Sequence, residues 1–244
     1  MSKNLEDSGL KSIASEYDLF FIDIWGVVHN GIKLYENAVR ALEELANNEK
    51  KSQVSENKKI LFLSRINKKK GLDFLLEAWA KVSAEEWILQ IAGNDDDGTI
   101  NYIKERIKRE DLRGRVELLG PLSEEQKKLA YTKAGLFILP SHSENFGIVV
   151  AEALSFGVPV LTTKGCPWQE LETEKCGWWV EPTLEDIQEG LGKALSTPAS
   201  QLKIMGESGR QLIEKKYQWE GIAARMQTFY QWLLSGGETP EFVV

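Results

Sequence analysis

Two carboxylates, Glu144 and Glu152, stand eight positions apart where an apolar run passes into a helix, in Ser143-Glu144-Asn145-Phe146-Gly147-Ile148-Val149-Val150-Ala151-Glu152. Glu144 falls in the loop before that helix. At ~3.6 residues per turn, Glu152 is expected about two turns inside it. Between them the backbone N–H groups of Phe146, Gly147 and Ile148 are expected as first-turn donors without intrahelical acceptors, a setting that suits an anion such as a diphosphate. Carboxylates repel such an anion but accept hydrogen bonds from sugar hydroxyls. The combination reads as a site for a sugar nucleotide.

Two cations follow an apolar strand in Ser64-Arg65-Ile66-Asn67-Lys68-Lys69-Lys70-Gly71. Arg65 and Lys70 would project from the strand's carboxyl end, and Gly71 allows close backbone approach. A guanidinium with an ammonium can hold a diphosphate and stabilise it as it leaves a sugar. Alone, the lysine triplet reads as a solvated basic loop; on one sheet edge with Glu144 and Glu152 it reads as the anion-binding part of the site. Glu144 by itself could serve the helix macrodipole. Glu152, between Ala151 and Ala153, sits in a helix that must pack closely, and it needs a partner there: ribose hydroxyls or an internal salt bridge. His142 could face the sugar, but its first reading is a polar loop residue. Cys166-Pro167-Trp168 and Trp178-Trp179 read as packing residues, and two cysteines beside two histidines suggest no metal site.

The elements that must carry these side chains are legible from periodicity. From residue 60 onward, strands at 60–64, 87–92, 116–119, 136–139, 158–161 and 178–180 alternate with helices. The helices are expected at 72–82, 99–109, 123–134, after Glu144, and at about 184–196, 199–216 and 220–235. Ser123 and Gln126 have the spacing of a capping box. Short, nearly continuous Leu/Ile/Val runs alternating with helices predict an α/β, doubly wound parallel sheet. Ligands of such sheets bind beyond the carboxyl ends of the strands, where the loops 64–71, 93–98 and 140–147 meet. Upstream, residues 17–49 predict an added strand at 19–24 and a helix at 36–48. Residues 47–59 hold almost nothing apolar and predict a linker. The expected division is therefore 1–56, a βα fragment with its linker, and 57–244, the ligand-binding domain.

Composition narrows the classes. The chain has 244 residues, 42% apolar and 27% charged, with net charge −7. That is ordinary for a soluble globular protein, and it offers no basic footprint for nucleic acid. No apolar run approaches the ~20 residues of a membrane span. The first residues are too acidic and polar for a signal peptide, and two cysteines form no disulfide framework, so a cytoplasmic location is expected.

These motifs resemble a known family. Residues from about 58 to 235 are similar to the carboxyl-terminal, donor-binding half of a retaining GT-B-fold glycosyltransferase of the large family four. The resemblance is carried by Ser64-Arg65, Lys70-Gly71, Ala92-Gly93, Leu119-Gly120, Pro140-Ser141, the Glu144/Glu152 pair, Gly157-Val158-Pro159-Val160 and Cys176-Gly177-Trp178-Trp179-Val180. Pro167-Trp168-Gln169-Glu170-Leu171 resembles the bacterial polysaccharide and lipopolysaccharide enzymes in particular. The resemblance implies that Arg65 and Lys70 neutralise the donor diphosphate and that Glu144 holds the donor sugar. It places Asn145 and the amides of Phe146, Gly147 and Ile148 near sugar and phosphates, Glu152 on the ribose, and the backbone of Leu119 and Gly120 against the base. It implies transfer with retained configuration and no cofactor or bound metal. A GT-B enzyme also needs an acceptor-binding domain, and the upstream 56 residues are too few to be one. A partner chain could supply it, and isolated activity would be absent or weak.

Those upstream residues resemble something else. Tyr17 to Gly31 looks like the opening of a haloacid-dehalogenase-type phosphatase, with Asp23 in the place of its phosphoryl-accepting nucleophile. The acid/base position two residues later is Trp25, and the later motifs are not recognisable. The expectation is a fusion of the two sequences. Two alternatives accompany it: a structural module without retained activity, or a degenerate, magnesium-dependent phosphatase built on Asp23.

Overall fold

The computed structural model describes residues 58–84 and 86–243. The expected strand at 19–24, the helix at 36–48, Asp23 and the 56/57 boundary lie outside the described residues. The described strands are β1 Lys59–Leu63, β2 Ile88–Ala92, β3 Val116–Gly120, β4 Leu136–Leu139, β5 Val160–Thr163 and β6 Gly177–Val180. Between and after them lie α1 Leu72–Lys81, α2 Thr99–Arg109, α3 Glu124–Lys133, α4 Ile148–Ser155, α5 Glu170–Thr173, α6 Leu184–Ser196, α7 Ala199–Lys216 and α8 Trp219–Ser235. All six strands pair in parallel, in the order β3-β2-β1-β4-β5-β6. The expected doubly wound sheet is present. Its chain order reverses between β1 and β4, the topological switch point at which such sheets bind ligands.

The core explains the strand composition. Ile60, Leu61, Phe62, Leu136, Phe137, Ile138, Leu139, Val160 and Leu161 are all buried, as the central strands of a sheet covered on both faces require. On one side α1 packs with α2 and α6. On the other, α3 meets α4 through Tyr131, whose ring stacks on Phe156 at 5.3 Å. The far end of α1 is tied down by Arg115. Its guanidinium lies over the Trp79 ring at 4.9 Å and donates to the carbonyls of Trp79 and Val82 at 3.1 and 3.0 Å. This satisfies C-terminal carbonyls that a helix leaves without partners.

Local signals set most boundaries. Ser123 and Gln126 form the expected capping box at α3. Two strands start later than expected: β2 at Ile88, not Trp87, and β5 at Val160, not Val158. The amide of Val158 is spent on the Ala153 carbonyl at the end of α4, and Pro159 has no amide to donate. Helix α5 and a 3-10 turn at Lys68–Lys70 were not foreseen; both are single turns too short to show a period.

Residues 215–244 belong to a second unit. Within it, Phe229 packs against Trp232 at 5.9 Å, and the Gly236 amide closes α8 on the Trp232 carbonyl at 2.9 Å.

Candidate functional site

The loops leaving β1 and β4 are clasped together at the switch point. Asn67 accepts from the Lys69 amide at 3.1 Å and starts the 3-10 turn, which Gly71 ends in the left-handed region at φ 67°. A Cβ on Gly71 would stand 2.0 Å from the Pro140 carbonyl oxygen, so only glycine allows this approach. Two residues on, the His142 amide donates to the Lys69 carbonyl at 3.0 Å. The clasp buries Lys70 and aims its ammonium at Glu144, whose Oε1 accepts it. The same Oε1 accepts the Ser141 hydroxyl at 2.7 Å. A third loop, after β5, completes the seat: the Glu144 amide donates to the Gly165 carbonyl at 2.8 Å, and the Thr163 hydroxyl donates to the Ser141 carbonyl.

Arg65 leaves the same strand but takes a different partner. Its exposed guanidinium faces Asp96 in the loop after β2 at 3.4 Å. That loop is drawn alongside by the parallel bridge between Ile66 and Asp95. Arg65 and Lys70, expected together as a diphosphate clamp, thus lie in two separate ion pairs, one exposed and one buried. Both expected cations have found carboxylates.

Helix α4 starts later than the spacing implied. Gly147, at φ 75°, is its N-cap, and Phe146 precedes it. The first-turn amides without an acceptor inside the helix are those of Ile148 and Val149, and Val150 donates to the Gly147 carbonyl at 2.8 Å. Glu152 is accordingly little more than one turn in, not two. Trp168 fixes the approach: its indole N–H donates to the Phe146 carbonyl at 2.5 Å and its ring lies 4.9 Å from that of Phe146. Asn145 is exposed beside it.

Glu152 has a partner that neither sequence alternative named. Its Oε2 accepts the hydroxyl of buried Tyr131 at 2.8 Å. Burial raises the Glu152 carboxyl above its usual 4.5, opposed by the Tyr131 hydrogen bond and Lys127 and reinforced by Glu124. Burial and the Glu152 charge hold the Tyr131 hydroxyl well above its usual 10.0. A carboxyl whose pKa is raised in the fold contributes stability that is complete below its unfolded pKa and is lost as pH rises through the folded one. We expect Glu152→Gln to flatten the fall in thermal midpoint above pH 4.5. A midpoint curve parallel to that of the parent chain would refute this.

Leu119 and Gly120 end β3 on the same sheet rim, two strands from β1, and the Gly120 carbonyl accepts the Gly93 amide at 2.9 Å. His142 turns its ring edge-on to Phe74 at 5.2 Å, a packing role. Cys166 and Cys176 are free and buried, their thiols pushed up to about 11 and about 12 by desolvation. Among the described residues no group of three or more His, Cys, Asp or Glu could hold a metal. Sequence reasoning did not foresee the roles of Ser141, Thr163, Gly165, Trp168 and Tyr131. Pro140-Ser141 and Pro167-Trp168 were visible as motifs, and Trp168 was read as a packing residue, which its burial bears out; the hydrogen bonds themselves join distant segments and leave no local signature.

Comparison with known proteins decides the family. Residues 43–219 match the family described as glycosyl transferases group 1. The chain belongs to that family. An uncharacterized glycosyltransferase of Methanocaldococcus jannaschii is 30% identical over 210 residues, covering 84% of this chain and 53% of that protein. The chain spans about half the length of the curated relatives it matches. Among solved structures, a sucrose-phosphate synthase from Thermosynechococcus elongatus superposes with a TM-score of 0.66 at 23% identity, covering 82% of this chain and 49% of that one. A TarM mutant of S. aureus, in complex with Fondaparinux, alpha-GlcNAc-glycerol and UDP, gives 0.65 at 20% identity, covering 92% and 42%. These likenesses bear on the group 1 fold. Among the described residues of this group 1 chain, no helix is long and apolar enough to cross a membrane.

Proposed function

We propose that this chain is the donor-binding half of a retaining glycosyltransferase that takes a nucleoside-diphosphate sugar. One observation carries the reading: Lys70 and Glu144, from the loops of two adjacent strands, meet at the switch point beside the start of α4. An incoming diphosphate competes with Glu144 for Lys70 and with Asp96 for Arg65, and both cations then stabilise the leaving group. Glu144 and Asn145 take the donor sugar, while the first-turn amides of Ile148 and Val149, just past Phe146 and Gly147, serve sugar and phosphates. Glu152 takes the ribose hydroxyls, with Tyr131 orienting its carboxylate. The backbone of Leu119 and Gly120 contacts the base. No cofactor is assigned, because side chains and helix amides carry the developing charge. Retained configuration and the bacterial polysaccharide or lipopolysaccharide class come from the resemblance around Pro167-Trp168-Gln169-Glu170-Leu171.

The acceptor domain belongs to further chain or to a partner, and proximity of the two substrates is what it would add. A cytoplasmic location accompanies this reading, in keeping with two free thiols. The dehalogenase-like reading of residues 1–56 rests on the sequence around Asp23 and contributes nothing to this site.

Calorimetric titration with UDP, GDP and their hexose conjugates is the test. Binding of at least one pair is expected. Arg65→Ala should weaken the diphosphate about 10- to 100-fold, the scale of one hydrogen bond to a charged group. No binding at millimolar ligand, or affinity untouched by Arg65→Ala, would reject the reading.

A further inference from the structure

We propose that Ser141 is a positioning residue that divides the two oxygens of Glu144, holding one in the fold and leaving the other for the ligand. The inference rests on the donor-binding reading above. Ser141 is fully buried, and its hydroxyl reaches Oε1 of Glu144 at 2.7 Å. Lys70 donates to that same oxygen. Both donors converge on Oε1, and no hydrogen bond to Oε2 occurs among the described residues. The serine cannot drift. The Thr163 hydroxyl holds its carbonyl, and Thr163 is itself fully buried. The Glu144 backbone is pinned separately through the Gly165 carbonyl at 2.8 Å.

The consequence is geometric. The last torsion of a glutamate is broad and roughly two-fold, so one donor does not fix which oxygen points where. A lysine ammonium has three rotatable donors and can follow the carboxylate as it turns. The buried hydroxyl has no such freedom. Ser141 therefore sets the carboxylate plane, and Oε2 is presented as an anionic acceptor for a sugar hydroxyl. Its orientation is in place before the ligand arrives, which lowers the ordering cost of binding.

A sugar nucleotide would use that oxygen, and the bare diphosphate would not. The two ligands separate the roles. Parent chain and Ser141→Ala are titrated with UDP and UDP-glucose and with GDP and GDP-mannose, using whichever pair the parent binds. Ser141→Ala is expected to leave the diphosphate within about twofold of the parent and to weaken the sugar nucleotide about tenfold, one hydrogen bond's worth. In a Glu144→Gln background, Ser141→Ala should cause no further loss for the sugar nucleotide. Equal weakening of both ligands, an unchanged sugar nucleotide, or full additivity with Glu144→Gln overturns the proposal. Melting curves check that Ser141→Ala is folded. Should it not be, Thr163→Val, which keeps the serine and removes only its brace, carries the same selective loss at smaller size; equal loss of both ligands in that variant overturns the proposal too. A parent chain that binds neither ligand brings down the donor-binding reading and this inference together, an outcome told apart by the parent titration alone.

Discussion

Replacing Lys70 by alanine is expected to cost about 3–5 kcal/mol of stability, the range for breaking a buried ion pair from one side. The side chains of Lys70 and Glu144 retain only 10% and 14% of their exposure, so little water reaches the place of the lost ammonium. Glu144 would then keep Ser141 as its side-chain donor among the described residues, and would have to pull away from the Gly165 seat. Diphosphate binding should be lost in the same variant. The double variant Lys70→Met/Glu144→Gln removes both charges together and should recover most of the stability without recovering binding, because matched apolar or neutral replacements of a buried pair are tolerated. Urea denaturation of the four chains measures the coupling. A single-variant loss below about 1 kcal/mol would place the pair with ordinary surface salt bridges and refute its burial.

Gly71→Ala adds one carbon and should cost about 2–5 kcal/mol, summing a left-handed backbone penalty with overpacking. The added Cβ would lie 2.0 Å from the Pro140 carbonyl oxygen, which is backbone and cannot swing aside. The two loops must part, and with them Lys70 and Glu144. Gly114→Ala provides the comparison. Gly114 has φ +82° but nothing within 4 Å of its would-be Cβ, so only the conformational part of the cost applies. Equal losses in the two variants would show that the close approach to Pro140 contributes nothing.

Much of this arrangement could be read from the chain before any fold was known. The order of the strands from Ile60 to Val180, the α2 bounds and the Ser123–Gln126 cap depend on local periodicity and local hydrogen bonds, and each follows the residues, the strand ends shifting by a residue or so outside β5. Arg65, Lys70 and Glu144 were read as chemistry because charged groups after apolar strands have little structural reason to gather there, and Glu152 because a carboxylate in a closely packed helix needs a partner. Their partners were not. That Lys70 meets Glu144, that Arg65 meets Asp96 and that Glu152 meets Tyr131 depends on which strands are neighbours, and pairing order is a non-local property. The start of β5 was misplaced for a similar reason: Val158 is apolar enough for a strand, but its amide is claimed by the helix before it.

The bond between Lys70 and Glu144 closes a span of 74 residues. Local contacts form early and distant ones late, since the entropy of joining far-apart segments must be met first. During synthesis the lysine leaves the ribosome well before its carboxylate, and it stays hydrated until the fourth strand docks beside the first. The buried half of the cleft thus comes into being at a single late event: chains stalled before that docking already carry Asp96 for Arg65, but hold Lys70 without the carboxylate that restrains it.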